Sequence, residues 1–219
     1  MPSNRTRGQR AGLTRQAVLE AAMALADREG LKALSMRRLG TELGVEAMTL
    51  YHHVSNKDAL LDGLVEQLLI EAIPSRIESE SWQAGLRGYA HSLLATLLAH
   101  PNVTSLIVSR PAVTARNLRI MEDLLEALRA AGFPLDVGLD VLYSLAGFVV
   151  GHVVTHPESG ETLGQVRQLS DVDAEEFPLL AEAAARTERR PGPDSRFDFA
   201  LDAMLTGFEA ARTNSTASQ

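Results

Sequence analysis

Apolar positions near the start of the chain recur at spacings of three and four. Ala17, Val18, Ala21, Ala22, Leu25 and Ala26 share one helical face. Thr14 stands where an N-cap is needed, and Gly30 supplies the stop near Glu29. Leu31 and Leu34 return the chain to the core, and Ser35 caps a second helix over Met36 to Leu43 with Leu39 and Leu43 inward. Gly44 breaks that helix and Val45 plugs the turn. The pattern predicts a third helix from about Glu46 to Val54. At about 100° per residue, Ala47, Leu50 and Val54 fall on its buried face. Met48, Thr49 and His52 point the other way, with Tyr51 and His53 on the flanks. Ser55 with Asp58 forms an S-x-x-D capping signal for a fourth helix through Leu60, Leu61, Leu64, Leu68 and Leu69 to about Ala72, which Pro74 ends.

A second helical region follows the polar segment Ser75 to Ser81. Ser81 caps a helix carrying Trp82, Leu86, Tyr89, Leu93, Leu94, Leu97 and Leu98, and a short helix runs from about Asn102 to Ser109. Val113 to Ala131 is amphipathic and closes at Gly132. Leu135 to His156 is apolar almost all round: from Leu139 to Val154 the only charge is Asp140. Such a helix must be covered on every side, by its own domain and by a second subunit. Residues 157–171 read as a loop, Ala174 to Thr187 as a helix, and RRPGPD as a linker. A last helix over about Ser195 to Ala211 carries Phe197, Leu201, Met204, Leu205 and Phe208 on one stripe. The expected plan is all-α: a basic arm at 1–13, a three-helix helix-turn-helix domain at 14–74, a helical ligand-binding and dimerisation domain at 75–213, and a disordered tail at 214–219.

Charge sharpens this division. Residues 1–60 hold nine Lys/Arg against six Asp/Glu, and residues 61–219 hold twelve against twenty-two. A basic head on an acidic body suits a nucleic-acid partner for the head. Arg5, Arg7 and Arg10 lie in a segment without periodicity, which can add phosphate or minor-groove contacts. There is no cysteine, so disulfides, thiolate metal sites and a cysteine nucleophile are excluded. The N-terminus has no apolar core of a secretory signal. Val141 to Pro157, the least charged stretch, falls short of the ~20 apolar residues of a membrane span. A cytoplasmic protein without a membrane partner is expected.

The helix–Gly–helix unit Ser35 to Lys57 has the dimensions to place its second helix in a major groove about 12 Å wide. Its outward side chains fit that task. Thr49 can bond a base edge or a phosphate and offers a methyl to thymine. Tyr51 and Lys57 can reach phosphates, His52 and His53 can donate to either, and Met48 gives apolar contact. Arg37, at the start of the preceding helix, can pair with guanine or a phosphate.

The run LSMRRLGTELGVEAMTLYHHVSNKDALLDGLVE resembles the DNA-binding domain of the tetracycline-repressor family. The marks are Gly30, Ala33-Leu34-Ser35, Leu39-Gly40, Leu43-Gly44-Val45, Thr49-Leu50-Tyr51, His53-Val54 and Asn56-Lys57, over about residues 14–70. The resemblance implies an all-helical homodimeric repressor released by a small molecule, with Arg37, Thr49, Tyr51, His53 and Lys57 at DNA-contacting positions. Glu80-Ser81-Trp82-Gln83, Arg110-Pro111, Ala131-Gly132-Phe133 and the helix around Gly147 and Gly151 are similar to the tetracycline repressor's own branch. In that branch the apolar helix and the last helix form a four-helix dimer bundle. Leu142, Leu145 and Val149 on the one, and Phe197, Leu201, Leu205 and Phe208 on the other, are then expected at the dimer seam. The drug- and magnesium-binding positions of that branch fall near Glu71, Tyr89, Ile107 and Thr155, and its histidines are absent here. Tetracycline is therefore not the expected effector.

Pockets between bundle helices are apolar with a few polar anchors. On that basis Leu93, Ile107, Leu125 and Phe148, with Arg110 and His152 as anchors, are candidate effector contacts, although the apolar four are also ordinary core residue types. His152 and His156 stand at i, i+4 with Glu158 nearby, but no fixed third ligand accompanies them, so neither metal nor cofactor is expected. The chain carries no nucleophile elbow, phosphate loop or zincin motif, so an enzyme is not expected. The expected partners are duplex operator DNA, a small-molecule effector and a second copy of the chain. The alternatives are an activator or ligand-independent regulator whose C-terminal domain binds a protein, and a small-molecule-sequestering protein with a vestigial DNA head.

Overall fold

The computed structural model describes residues 13–73, 81–110, 113–155, 172–188 and 195–217. All regular structure among them is helical. The helices are α1 (Arg15–Glu29), α2 (Met36–Leu43), α3 (Ala47–Leu50), α4 (Lys57–Glu71), α5 (Trp82–Ala99), α6 (Pro101–Ser109), α7 (Ala115–Ala130), α8 (Leu135–Thr155), α9 (Pro178–Glu188) and α10 (Ser195–Ala217). All but Leu13 of the expected basic arm at 1–13, the 157–171 loop with His156 and Glu158, and the RRPGPD linker lie outside the described residues.

The chain forms two compact units. The first takes residues up to 74 and adds 95–122; the second takes 75–94 and everything from 123. The expected boundary falls at residues 74 and 75. The membership of α6, with the adjoining ends of α5 and α7, in the first unit was not legible in the sequence.

In the first unit the helix starts follow cap chemistry. Thr14 Oγ1 accepts the Ala17 N–H and Ser35 Oγ accepts that of Arg38, both at 3.1 Å, satisfying donors that no helix turn can reach. Val18, Leu19, Ala22, Leu25 and Ala26 of α1 pack with Leu34, Leu39, Leu50, Val54, Leu60, Leu64 and Leu68 into one core, and Leu43, Val45 and Ala47 lean on its rim. α6 seals this core through Val103 and Leu106. Its start is tied down by polar groups. His100 Nδ1 lies 2.7 Å from Asp27 Oδ2 and its Nε2 3.5 Å from Glu71 Oε1, while Asn102 donates to the Asp27 carbonyl at 2.9 Å.

Two local expectations are corrected here. The third helix is one turn, Ala47–Leu50, rather than nine residues. After Leu50 the backbone tightens, with His52 N–H bonding Thr49 O and His53 N–H bonding Leu50 O, the i→i+3 pattern of a closing helix end. The cap of α4 is Asn56, whose Oδ1 accepts the Ala59 N–H at 2.8 Å, and not Ser55.

The second unit is built on α8 and α10, which pack together. Val141, Leu142, Leu145, Val149 and Val153 form the buried stripe of α8, and Phe197, Leu201 and Leu205 that of α10. Phe197 is its centre: Phe148 stacks on it at 5.0 Å, and His91 and His152 approach edge-on at 5.3 and 5.1 Å. Trp82 meets Phe133 edge-to-face at 4.9 Å.

The residues expected at the dimer seam pack within their own chain. Leu142, Leu145, Val149, Phe197, Leu201 and Leu205 are covered by their own chain and have almost no surface to give a partner; Phe208 is half-buried. The exposed apolar positions of these helices are Leu135, Tyr143, Val154 and Phe199. α8 ends at Thr155 among the described residues, one residue before the expected His156. At 21 residues and mean hydropathy 1.7 it is long and apolar enough to cross a membrane by length and composition, though its inward stripe is spent on the core. α10 continues to Ala217, past the expected start of a tail at 214.

Candidate nucleic-acid interface

The reading corner is assembled from α2, α3 with its following turn, and the first residue of α4. Three local devices fix it. The first is a glycine contact between α2 and α3. A Cβ on Gly40 would lie 2.9 Å from Val45 O and 3.1 Å from Ala47 N, so only glycine lets the two helices come this close. The second is the end of α2. Gly44 sits at φ 66°, and Val45 N–H returns to Gly40 O at 2.9 Å, closing the helix in a Schellman turn. The third is a surface ion network. Arg38 reaches Glu29 at 2.6 Å and Glu42 at 3.0 Å, and Arg28 reaches the same two carboxylates at 3.3 and 3.1 Å. The Arg38 hydrogen bond, followed by that of Arg28, outweighs desolvation and holds the Glu29 carboxyl below its ordinary range. The same pairing raises the Arg38 guanidinium. These bonds tie the start of α2 to the end of α1.

The seven side chains expected to meet DNA come together at this corner. Arg37, Met48, Tyr51, His52 and Lys57 are exposed, Met48 to 69%, while Thr49 and His53 are half-buried. Within the described residues none of the seven side chains takes part in an intramolecular hydrogen bond or ion pair. Donors left free on a convex corner, beside an apolar tip, can bond phosphates and base edges without first breaking a contact.

The six candidate effector contacts are divided between the two units. Leu93 is fully buried, Leu125 packs where Gly138 has no side chain, and Phe148 and His152 belong to the Phe197 cluster, all in the second unit. Ile107 rests on the core of the first unit. Arg110 follows the end of α6 and clasps α4. Its guanidinium meets Asp58 at 2.6 Å and Asp62 at 2.8 Å and donates to the Asp58 carbonyl at 3.3 Å. Asp58 first and Asp62 second raise its pKa. The sequence reading had Gly40 only as a mark of the resemblance and missed its packing role, the Arg38 network and this clasp. It also missed Asn117, which is 3% exposed with neither amide atom partnered, a state that buried polar groups rarely keep.

A helix-turn-helix corner with free polar groups, in a chain whose second unit is helical, defines a DNA-binding transcription regulator. Residues 18–64 match the bacterial regulatory proteins of the tetR family, and residues 74–212 match the tetracyclin repressor-like C-terminal domain. The chain belongs to the TetR family. The HTH-type transcriptional repressor DrrR1 of Streptomyces coeruleorubidus is 31% identical, with 93% of this chain and 80% of that one covered. The class D tetracycline repressor of Escherichia coli is 31% identical, with 93% and 92% covered. Among solved structures, apo ActR from Streptomyces coelicolor superposes with a TM-score of 0.78 at 28% identity, covering 93% of this chain and 98% of ActR. ActR in complex with actinorhodin gives 0.75 at 28% identity, covering 91% and 98%.

Proposed function

We infer that this regulator is a homodimeric repressor released by a small molecule. Each reading corner takes half of a near-palindromic operator, with half-sites about 34–36 Å apart. The observation that carries the reading is the corner itself, where Arg37, Met48, Thr49, Tyr51, His52, His53 and Lys57 are gathered with no competing side-chain partner among the described residues. The ligand complex of ActR supports an organic effector. In the dimer a second copy covers the exposed side of α8 that carries Tyr143, 62% exposed, and Val154. The effector binds the DNA-incompetent state better and shifts the population toward it. The protein works in the cytoplasm and contacts no membrane.

The test is titration of the purified protein against DNA upstream of its own gene at several salt concentrations. Affinity should fall steeply with salt as phosphate contacts release counterions. Tyr51→Ala should weaken binding about tenfold, the scale of one or two lost hydrogen bonds to charged oxygens. Salt-independent binding, or unchanged affinity in the Tyr51 variant, would refute the contact assignment.

A further inference from the structure

The segment from Ser35 to Asp58 holds three acids, Glu42, Glu46 and Asp58. The first and last are neutralised inside the chain. Glu42 is held by Arg28 at 3.1 Å and by Arg38 at 3.0 Å, and Asp58 by Arg110 at 2.6 Å. Glu46 is exposed, and its carboxylate takes part in no hydrogen bond or ion pair among the described residues. It stands directly before α3, with φ −68° and ψ 142°, yet its side chain makes no bond to the helix it precedes. Only its backbone carbonyl is used, accepting the Thr49 N–H at 2.9 Å. Local structure therefore does not account for the carboxylate.

On a surface that meets DNA a free carboxylate is restricted in what it can touch. Phosphates repel it, whereas Arg37, Lys57 and the two histidines of the corner suit them. The favourable contact left to it is a donor on a base edge. In the major groove those donors are the amino groups of cytosine and adenine. Adenine sets its N7 acceptor beside the amino group, and guanine and the thymine carbonyl present acceptors alone; all of these repel a carboxylate. Cytosine presents N4 as a donor with no acceptor beside it. The first residues of a reading helix are the ones that approach base edges, and Glu46 leads directly into Ala47 and the exposed Met48.

We propose that Glu46 is a specificity-determining residue, whose carboxylate accepts a hydrogen bond from cytosine N4 at one base pair of each half-site and disfavours the other bases there. The proposal rests on the operator-binding reading above. Lys57 and Tyr51 then supply affinity through phosphates, and Glu46 supplies discrimination. Where the cytosine is missing, the same charge is only repelled, so it also lowers binding to unrelated DNA.

The test is selection of bound duplexes from a random library by the full-length protein and by its Glu46→Ala and Glu46→Gln variants. The parent should enrich half-sites with cytosine at one position. Glu46→Ala should lose the preference at that position and keep the others, and should bind unrelated duplex about two- to fivefold more tightly at low salt. Glu46→Gln should turn the preference to adenine, whose N6 and N7 an amide meets together. A duplex carrying 2-pyrimidinone in place of that cytosine lacks only the amino group. It should bind the parent about tenfold more weakly than the cytosine duplex, and this comparison needs no variant. Glu46→Ala should bind the two duplexes alike. If the parent enriches no duplex, the operator-binding reading fails and this proposal with it. If the parent enriches an operator but both variants keep its preferences at every position, or loss of the amino group leaves parent affinity unchanged, the assignment of Glu46 alone is overturned.

Discussion

Adding one methyl group at Gly40 tests whether the α2–α3 contact holds the reading corner. In Gly40→Ala the new Cβ meets Val45 O at 2.9 Å, Ala47 N at 3.1 Å and Ala47 Cα at 3.3 Å. All three atoms are backbone, so no side-chain rotamer relieves the clash. Reaching ordinary contact requires α3 to move away from α2 by about 0.5 Å. Overpacking of this kind costs about 1–3 kcal/mol, against about 1 kcal/mol gained by replacing a helical glycine. The net is a loss of up to about 2 kcal/mol, or about 2–4 °C in melting temperature per kcal/mol for a chain of this size. Gly88→Ala in α5 is the control: it gains the same helical propensity, and its Cβ meets nothing within 4 Å. It should melt higher than the parent while Gly40→Ala melts lower. Because the displaced segment carries Met48, Thr49 and Tyr51, Gly40→Ala should also lose operator affinity that Gly88→Ala keeps. Melting curves and DNA titrations of the three proteins decide the matter. A Gly40 variant as stable and as tight-binding as the Gly88 variant would refute the close-packing argument.

Three further outcomes are expected. Arg110→Gln should cost about 1 kcal/mol, no more, because its partners Asp58 and Asp62 are 77% and 44% exposed and water screens the pairing; the difference should shrink as salt is added, as chemical denaturation at two ionic strengths will show. Asn117→Leu should raise stability by about 1 kcal/mol, since it replaces two orphaned polar atoms by apolar ones of similar volume; a loss instead would mean that a polar group in solution completes the amide. Glu29 has a folded pKa below its ordinary 4.5, so its contribution is present above that value and is lost as pH falls through the lower folded one. Denaturation from neutral to acid pH should therefore show a shallower stability loss in Glu29→Gln than in the parent, with the difference confined to the acid limb.

What was legible in the sequence follows from how local each cause is. Thr14, Ser35 and Gly44 act on backbone within a few residues, so α1 and α2 could be read nearly to the residue. The outward set from Arg37 to Lys57 was legible for the same reason, because its members sit opposite Leu39, Leu50 and Val54 in one short segment. Competition between equal local signals was not. Ser55 and Asn56 are both good N-caps one residue apart, and only the chain's approach to α4 selects Asn56.

Non-local causes left no trace. Arg110 reads as a cation beside a proline, and its partners lie 48 and 52 residues away. The burial of the expected seam residues within their own chain was hidden for a different reason. Apolar residues surround α8, so periodicity offers two stripes of equal weight and says nothing about which belongs to the chain itself. The stripe through Leu142, Leu145 and Val149 is buried within the chain, and Tyr143 and Val154 are left outside. Substitutions then act differently on the two sides. A charge at Leu145 should disrupt the second unit itself, whereas one at the exposed Tyr143 should leave the chain folded, as melting curves of the two variants will show.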